Sequence, residues 1–257
     1  MNCKIAADDY GMSVEINQAI SYLVKKRIIS KVSIAANESI EYSIGDFAEN
    51  VECGLHINLT ENPEIIKTDH GNKKSSLLKL LYLIYTGQLT INQIMENIDR
   101  QSKNLETKGF KILYLDTHHH VHIVPKILRS LIDHAKIRKI NSIRCITMER
   151  KYLFFYLYSL IRFGFIKQIP KMILLYSMGV LMKKKLDEAK IDYCRNLVLM
   201  PLATGGDYRG LLKEFLSKFK DEDAELIVHP GLREETLKSD SYSDGRYIEY
   251  SSILNLT

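Results

Sequence analysis

Short apolar runs alternate along the chain with longer segments whose apolar residues recur every three or four positions, the pattern of strands followed by amphipathic helices. The first apolar run, residues 3–7, breaks into Asp8-Asp9-Tyr10-Gly11. Ser13 then offers an N-cap hydroxyl, and Glu15 puts an acid in the first turn, where the helix dipole favours it. Ile16, Ala19, Ile20, Leu23 and Val24 line one helical face after it. A second strand is predicted over 32–36, a short helix over 40–50, and a third strand over 51–59.

After a less regular stretch, Thr90 caps a long helix with Ile91, Ile94, Met95, Ile98 and Leu105 on its apolar side. Gly109 ends it, where a left-handed residue is usual. A strand over 112–115 runs into Asp116-Thr117-His118-His119-His120-Val121-His122. Pro125 opens a helix over 126–136, and a short strand over 143–146 carries Arg144. Strands over 197–202 and 226–228 flank an amphipathic helix over 211–219.

Strands alternating with helices imply parallel pairing through right-handed crossovers. The expected fold is α/β, a (β/α) barrel of seven or eight strands that is closed or distorted, with an open doubly wound sheet as the alternative. The polar clusters, namely Asp8-Asp9, His56, the His118–His122 group, Arg144 and His229, each fall at or just after the end of an apolar strand. In a βα barrel those ends share the face that carries active sites, so residues far apart in sequence are expected to converge there.

Length and composition fit this reading. The 257 residues, 46% of them hydrophobic and 26% charged, suit one barrel domain over 1–257. Eight cations and no acid lie between Arg150 and Lys185, which outweighs the net charge of +5 and leaves the rest of the chain at −3. The basicity therefore belongs to one apolar helical insertion around 150–190. Its two apolar stretches, 152–161 and 172–182, fall short of the roughly 20 residues that span a bilayer. They read as helices packed on the barrel, or as an arm over 150–185 that touches a membrane surface. Nucleic-acid binding is not expected, because the cations are interleaved with aliphatics rather than with stacking aromatics. Cys3, Cys53, Cys145 and Cys194 form no CxxC pair and read as reduced thiols. The first residues lack the long apolar core of a secretory signal, so a cytoplasmic location is expected, with membrane-peripheral contact the variant of it.

Four histidines within five residues after Asp116 are hard to explain as packing. Neutral imidazole is the commonest side-chain metal ligand, and its second nitrogen usually meets a carboxylate or carbonyl. Alternation at a strand end would send only a subset of them into a pocket. Asp8-Asp9 can equally be a helix cap beside a solvated acid, His56 a satisfied core group, and His229-Pro230-Gly231 a simple turn. Arg144 reads either as an orienting partner of Asp8 or as a surface ion pair.

Asp8-Asp9-Tyr10-Gly11, Gly54-Leu55-His56-Ile57-Asn58-Leu59-Thr60, Leu115-Asp116-Thr117-His118-His119-His120-Val121-His122 and His229-Pro230-Gly231 resemble, in order, the signatures of the YdjC-like family. That family includes chitooligosaccharide deacetylases and hopanoid-associated deacetylases. The segment from Asp244-Gly245-Arg246 to Ile253-Leu254 also resembles the family's C-terminal part. The resemblance implies a barrel related to the polysaccharide deacetylases and one divalent metal ion, zinc or magnesium. It further implies hydrolysis of the N-acetyl group of a sugar such as an N-acetylglucosamine oligosaccharide or a lipid-linked sugar. Carried over by position, Asp9, His56 and His118 are the expected metal ligands, with His120 and His122 as alternatives to His118. Asp8 is the expected general base, and His229 the acid or oxyanion partner. Tyr10 stands where the family usually has phenylalanine and Thr117 where serine is frequent, while 61–87 and 149–193 match poorly. A metal-dependent phosphoesterase and a non-catalytic glycan- or membrane-binding barrel are the competing expectations, and a homodimer is the expected assembly.

Overall fold

A computed structural model describes residues 3–37, 45, 47, 51–66, 73–233 and 242–256. Seven strands, β1 (Cys3–Tyr10), β2 (Lys31–Ile34), β3 (Glu52–Ile57), β4 (Tyr114–Thr117), β5 (Ser142–Ile143), β6 (Asn196–Leu199) and β7 (Ala224–Val228), form one sheet. Its order is β5-β4-β3-β2-β1-β7-β6, and every pairing is parallel. The connecting helices are α1 (Val14–Lys25), α2 (Lys73–Tyr85), α3 (Ile91–Thr107), α4 (Pro125–Arg138), α5 (Arg150–Arg162), α6 (Ile169–Ala189), α7 (Tyr208–Phe219) and α8 (Ser243–Leu254).

The sheet curls toward a barrel, and chain next to its two edge strands, β5 and β6, is joined by backbone hydrogen bonds. Ile143 N donates to Asp192 O at 3.0 Å, Asp192 N to Asn141 O at 2.8 Å, and Leu197 N to Thr147 O at 2.8 Å. The expected barrel is present as a distorted seven-stranded one, and the doubly wound alternative does not apply. Parallel strands buried on both faces explain why they read as unbroken apolar runs.

Local signals hold where the sequence placed them. Ser13 Oγ accepts from Ile16 N at 3.2 Å, and Thr90 and Gln93 form a reciprocal capping box. Gly109 takes the left-handed conformation, φ 86°, after α3. The helix expected over 40–50 lies outside the described residues, Gly45 and Phe47 apart. α2 falls in the stretch that showed no clean period, because Leu78, Tyr82 and Tyr85 sit on its exposed side and blur the pattern.

The basic insertion packs on the barrel as a helical hairpin. The hydroxyls of Tyr156 in α5 and Tyr176 in α6 donate to Leu199 O at 2.6 Å and Leu197 O at 2.7 Å, pinning both helices to β6. A β-carbon on Gly179 would stand 1.6 Å from Ile146 O, so α6 seats against the chain after β5 only because that position is glycine. None of the helices among the described residues is long and apolar enough to cross a membrane.

Candidate active site

Adjacent strand residues normally point to opposite faces, yet Asp8 and Asp9 are both buried at the end of β1. The register with β2 shifts between Ala7 and Tyr10, and Asp9 takes a left-handed φ of 72°. This irregularity re-aims the chain so that both carboxylates enter the barrel end. The β3–β4 register sets His56 directly opposite Asp116. His118 follows β4 in a 3-10 turn, His118–Ile123, in which His119 and His120 are left-handed at φ 57° and 55°.

Asp9 Oδ1 lies 3.2 Å from His56 Nε2 and 3.1 Å from His118 Nδ1, and the two nitrogens are 3.3 Å apart. Metal–ligand bonds of about 2.0–2.1 Å put neighbouring ligand atoms about 3.3 Å apart in a tetrahedral site and about 3.0 Å apart in an octahedral one. The triangle thus fits one small divalent cation.

The outward atoms of the same three residues are also held. His56 Nδ1 lies 2.9 Å from Asp116 Oδ1, the carboxylate–histidine arrangement that fixes a ligating ring. Asp9 Oδ2 takes Arg246 Nη2 at 2.7 Å, and His118 Nε2 faces Glu61 at 3.9 Å. Arg144, buried, donates from Nη1 to Asp8 Oδ2 at 2.7 Å and pairs through the same atom with Asp116, which rules out a surface ion pair.

The histidine run does not alternate as a strand end would, because the turn redirects each ring. His119 lies over His118 with ring centroids 3.9 Å apart and reaches Thr60 Oγ1 at 3.1 Å. His122 folds back to Thr117 Oγ1 at 2.7 Å. His118 therefore joins Asp9 and His56, whereas His120 and His122 do not.

Charges follow this geometry. Burial would raise Asp9, but Arg246 and His118 beside it hold its carboxyl well below the usual range. Burial raises Asp8 against the pull of Arg144. Burial would lower His56, yet the Asp116 carboxylate lifts it to about 10, and Asp9 lifts His118 in the same way. Burial pushes His122 down to about 3.

His229 ends β7. Its backbone N–H donates to Glu249 Oε2 at 2.7 Å, and Arg246 Nη1 reaches its carbonyl at 3.4 Å. Burial lowers its imidazole to about 4, with the Asp9 and Asp8 charges acting in opposition. Glu249 also accepts from Tyr208 OH at 2.9 Å and from Tyr242 OH.

Arg246 and Glu249 of α8, Asp116, and Ser33, whose hydroxyl donates to Asp116 and lies 3.2 Å from His56 Nδ1, were not identifiable as site groups by residue chemistry alone. Asp116 was visible only as the acid preceding the histidine run, and Arg246 only inside the C-terminal resemblance.

Two substitutions test the supporting groups. Asp116→Asn should leave the fold intact and weaken metal affinity by about 10–100-fold, read by competition with a chelating dye. Equal affinity would mean that Asp116 does not hold His56. Burial lifts Glu249 from 4.5 to about 7, so the folded state favours its protonated form. The resulting stability is fully present below 4.5 and is lost as pH rises through 7, about 3 kcal/mol in all. Glu249→Gln should flatten urea midpoints across that window, and an unchanged slope would assign the dependence elsewhere.

The fold and the site define a parallel α/β barrel with a carboxylate–histidine centre at the C-terminal ends of its strands. The chain belongs to the YdjC-like protein family, whose model matches residues 4–255. It is 25% identical over 128 residues, 48% of this chain and 51% of the other, to a chitooligosaccharide deacetylase of Escherichia fergusonii. It is 26% identical over 139 residues, 51% and 54%, to a carbohydrate deacetylase of Clostridium beijerinckii, and 27% over 139, 48% and 44%, to one of Xenopus laevis. The chain spans about half the length of these curated relatives. In fold it is similar to a putative cellobiose-phosphate cleavage protein of Enterococcus faecalis V583, with TM-score 0.66 and 14% identity, covering 98% of this chain and 89% of that one.

Proposed function

We propose that the protein is a metal-dependent N-deacetylase acting on an N-acetylated sugar, with Asp9, His56 and His118 holding one divalent ion. The observation that carries this reading is the ligand triangle beside Asp8, whose Oδ1 is buried with no hydrogen-bond partner among the described residues. The curated relatives named as carbohydrate deacetylases support it.

An acetamide is a weak electrophile and its amine leaves badly without a proton. A divalent ion in the triangle supplies Lewis acidity, polarising the carbonyl and lowering the pKa of water from 15.7 towards about 7 for zinc. Two nitrogens and one carboxylate suit zinc, cobalt, nickel or manganese, with magnesium the less natural choice. Asp8 is the general base: Arg144 fixes its Oδ2, Oδ1 remains to accept a proton from the attacking water, and burial makes the carboxylate more basic. His229 is neutral at pH 7 and keeps one ring N–H, which suits hydrogen bonding to the tetrahedral oxyanion better than delivery of a proton. The proton gained by Asp8 is then the one available to the departing amine.

The test is acetate release from a panel of N-acetylglucosamine compounds, before and after chelation and metal readdition. Release that disappears with chelator and returns with metal is the expected result; a purified chain that binds no divalent ion overturns the reading. A second cluster, Glu61, His118 and His119, favours the competing two-metal phosphoesterase reading. One metal per chain and no turnover of phosphate esters would dispose of it.

A further inference from the structure

The hairpin of α5 and α6 turns apolar side chains outward. Phe154, Tyr158 and Ile161 recur at four- and three-residue spacing on the exposed side of α5, and Leu174 and Leu181, seven apart, on that of α6. Ile166, 58% exposed, lies in the turn between the helices. That turn is fastened to the chain after β6: Gln168 Nε2 donates to Leu202 O at 2.9 Å, Gln168 Oε1 accepts from Leu202 N at 2.8 Å, and Asp207 N donates to Phe163 O at 2.9 Å. All strands are parallel, so the end of β6 and this turn lie at the end of the barrel that carries Asp9, His56 and His118.

The charge of the patch has one sign. The segment 150–185 carries eight cations and no acid. Lys151, Arg162 and Lys185 are paired with Glu149, Glu214 and Glu188 at 3.2, 2.9 and 2.8 Å, whereas Lys167, Lys171, Lys183 and Lys184 have no ion-pair partner among the described residues. Aliphatic and aromatic side chains interleaved with unpaired cations match the boundary between headgroups and acyl chains of an anionic bilayer. A second copy of the chain fits less well, since a two-fold contact would set the cationic patch against itself.

We propose that the α5–α6 hairpin docks on an anionic lipid surface and holds the mouth of the active site at headgroup depth. The contact lies on the surface rather than across it, as no helix among the described residues is long and apolar enough to span. The consequence for substrate, which rests on the deacetylase reading, is that a lipid-linked N-acetylated sugar is presented directly to Asp8.

The experiment is co-sedimentation of the full chain with vesicles of phosphatidylcholine alone or with about a third phosphatidylglycerol, at low and high salt. The protein is expected to pellet with the anionic vesicles at low salt and to be released by salt or by the neutral lipid. Lys167→Glu and, separately, the pair Ile166→Asp with Leu174→Asp should each weaken partitioning about tenfold, with elution volume and acetate release from a soluble substrate unchanged. Wild-type protein that stays in solution with anionic vesicles overturns the proposal, as do variants that bind like the wild type. A dimer that Leu174→Asp dissociates would assign the patch to a second copy instead. Failure of the deacetylase reading is separate, for it appears as absent acetate release whether or not the chain pellets.

Discussion

Asp8→Asn is expected to lower the rate of acetate release by about a thousandfold while the protein keeps its metal stoichiometry and its fold. The asparagine is nearly isosteric, and its carbonyl oxygen can still accept from Arg144 Nη1, which contacts Asp8 at 2.7 Å in the native protein. Asp9, His56 and His118 are untouched, so ion binding should persist. What disappears is Asp8 Oδ1, a buried carboxylate oxygen beside the cluster with no hydrogen-bond partner among the described residues. The pH profile supplies a second readout. Burial raises Asp8, so the base is protonated and idle at acid pH, and kcat/KM rises as pH climbs through its pKa. The variant should lack that limb. Kinetics with substrate in excess, with metal measured by mass spectrometry, separate the cases: a loss of less than tenfold would move the base elsewhere, and a loss of metal would make Asp8 a ligand.

Much of this site was legible because its residues break the pattern around them. Acids and histidines at the ends of apolar runs have no packing reason to be there, and parallel strands carry them to one face. That logic brings the end of β1 beside His56, and the irregularity at Asp9 completes the contact. The choice among His118, His120 and His122 was not legible, since it depends on two consecutive left-handed histidines that no strand rule foresees. Arg246 was hidden differently. Its partner Asp9 stands 237 positions away, and an arginine in an exposed-looking C-terminal helix carries no local mark of burial. The barrel was expected, but the seam between its edge strands carried no sequence mark, for a third reason. It rests on backbone hydrogen bonds of Asn141, Ile143, Thr147, Asp192 and Leu197, which any side chains could make. The helix α8 reads as half polar because its buried face is itself polar, carrying Arg246 and Glu249.

Arg144→Met should destabilise the protein by about 3–5 kcal/mol, the usual consequence of removing one partner from a buried ion cluster. Arg144 is the shared counter-ion of Asp8 and Asp116, and all three side chains are almost entirely excluded from solvent. Methionine fills the volume but leaves the two carboxylates facing each other, with His56, and His229 for Asp8, left to offset them. The sign of the pH dependence follows. Without the guanidinium, the already raised pKa of Asp8 rises further and that of Asp116, which Arg144 holds low, rises too, so protonation relieves the variant. Its deficit against wild type should be small in acid and grow as pH rises through those raised values. Lysine tests the same idea from the other side. Only Nη1 of Arg144 contacts the carboxylates, while Nε and Nη2 have no hydrogen-bond partner among the described residues. A single ammonium can therefore replace most of what the guanidinium does, and Arg144→Lys should recover the larger part of the stability. Urea midpoints for both variants across acid and neutral pH decide it: a methionine deficit that does not vary with pH, or a lysine variant no better than methionine, would show that Arg144 acts by shape rather than by charge.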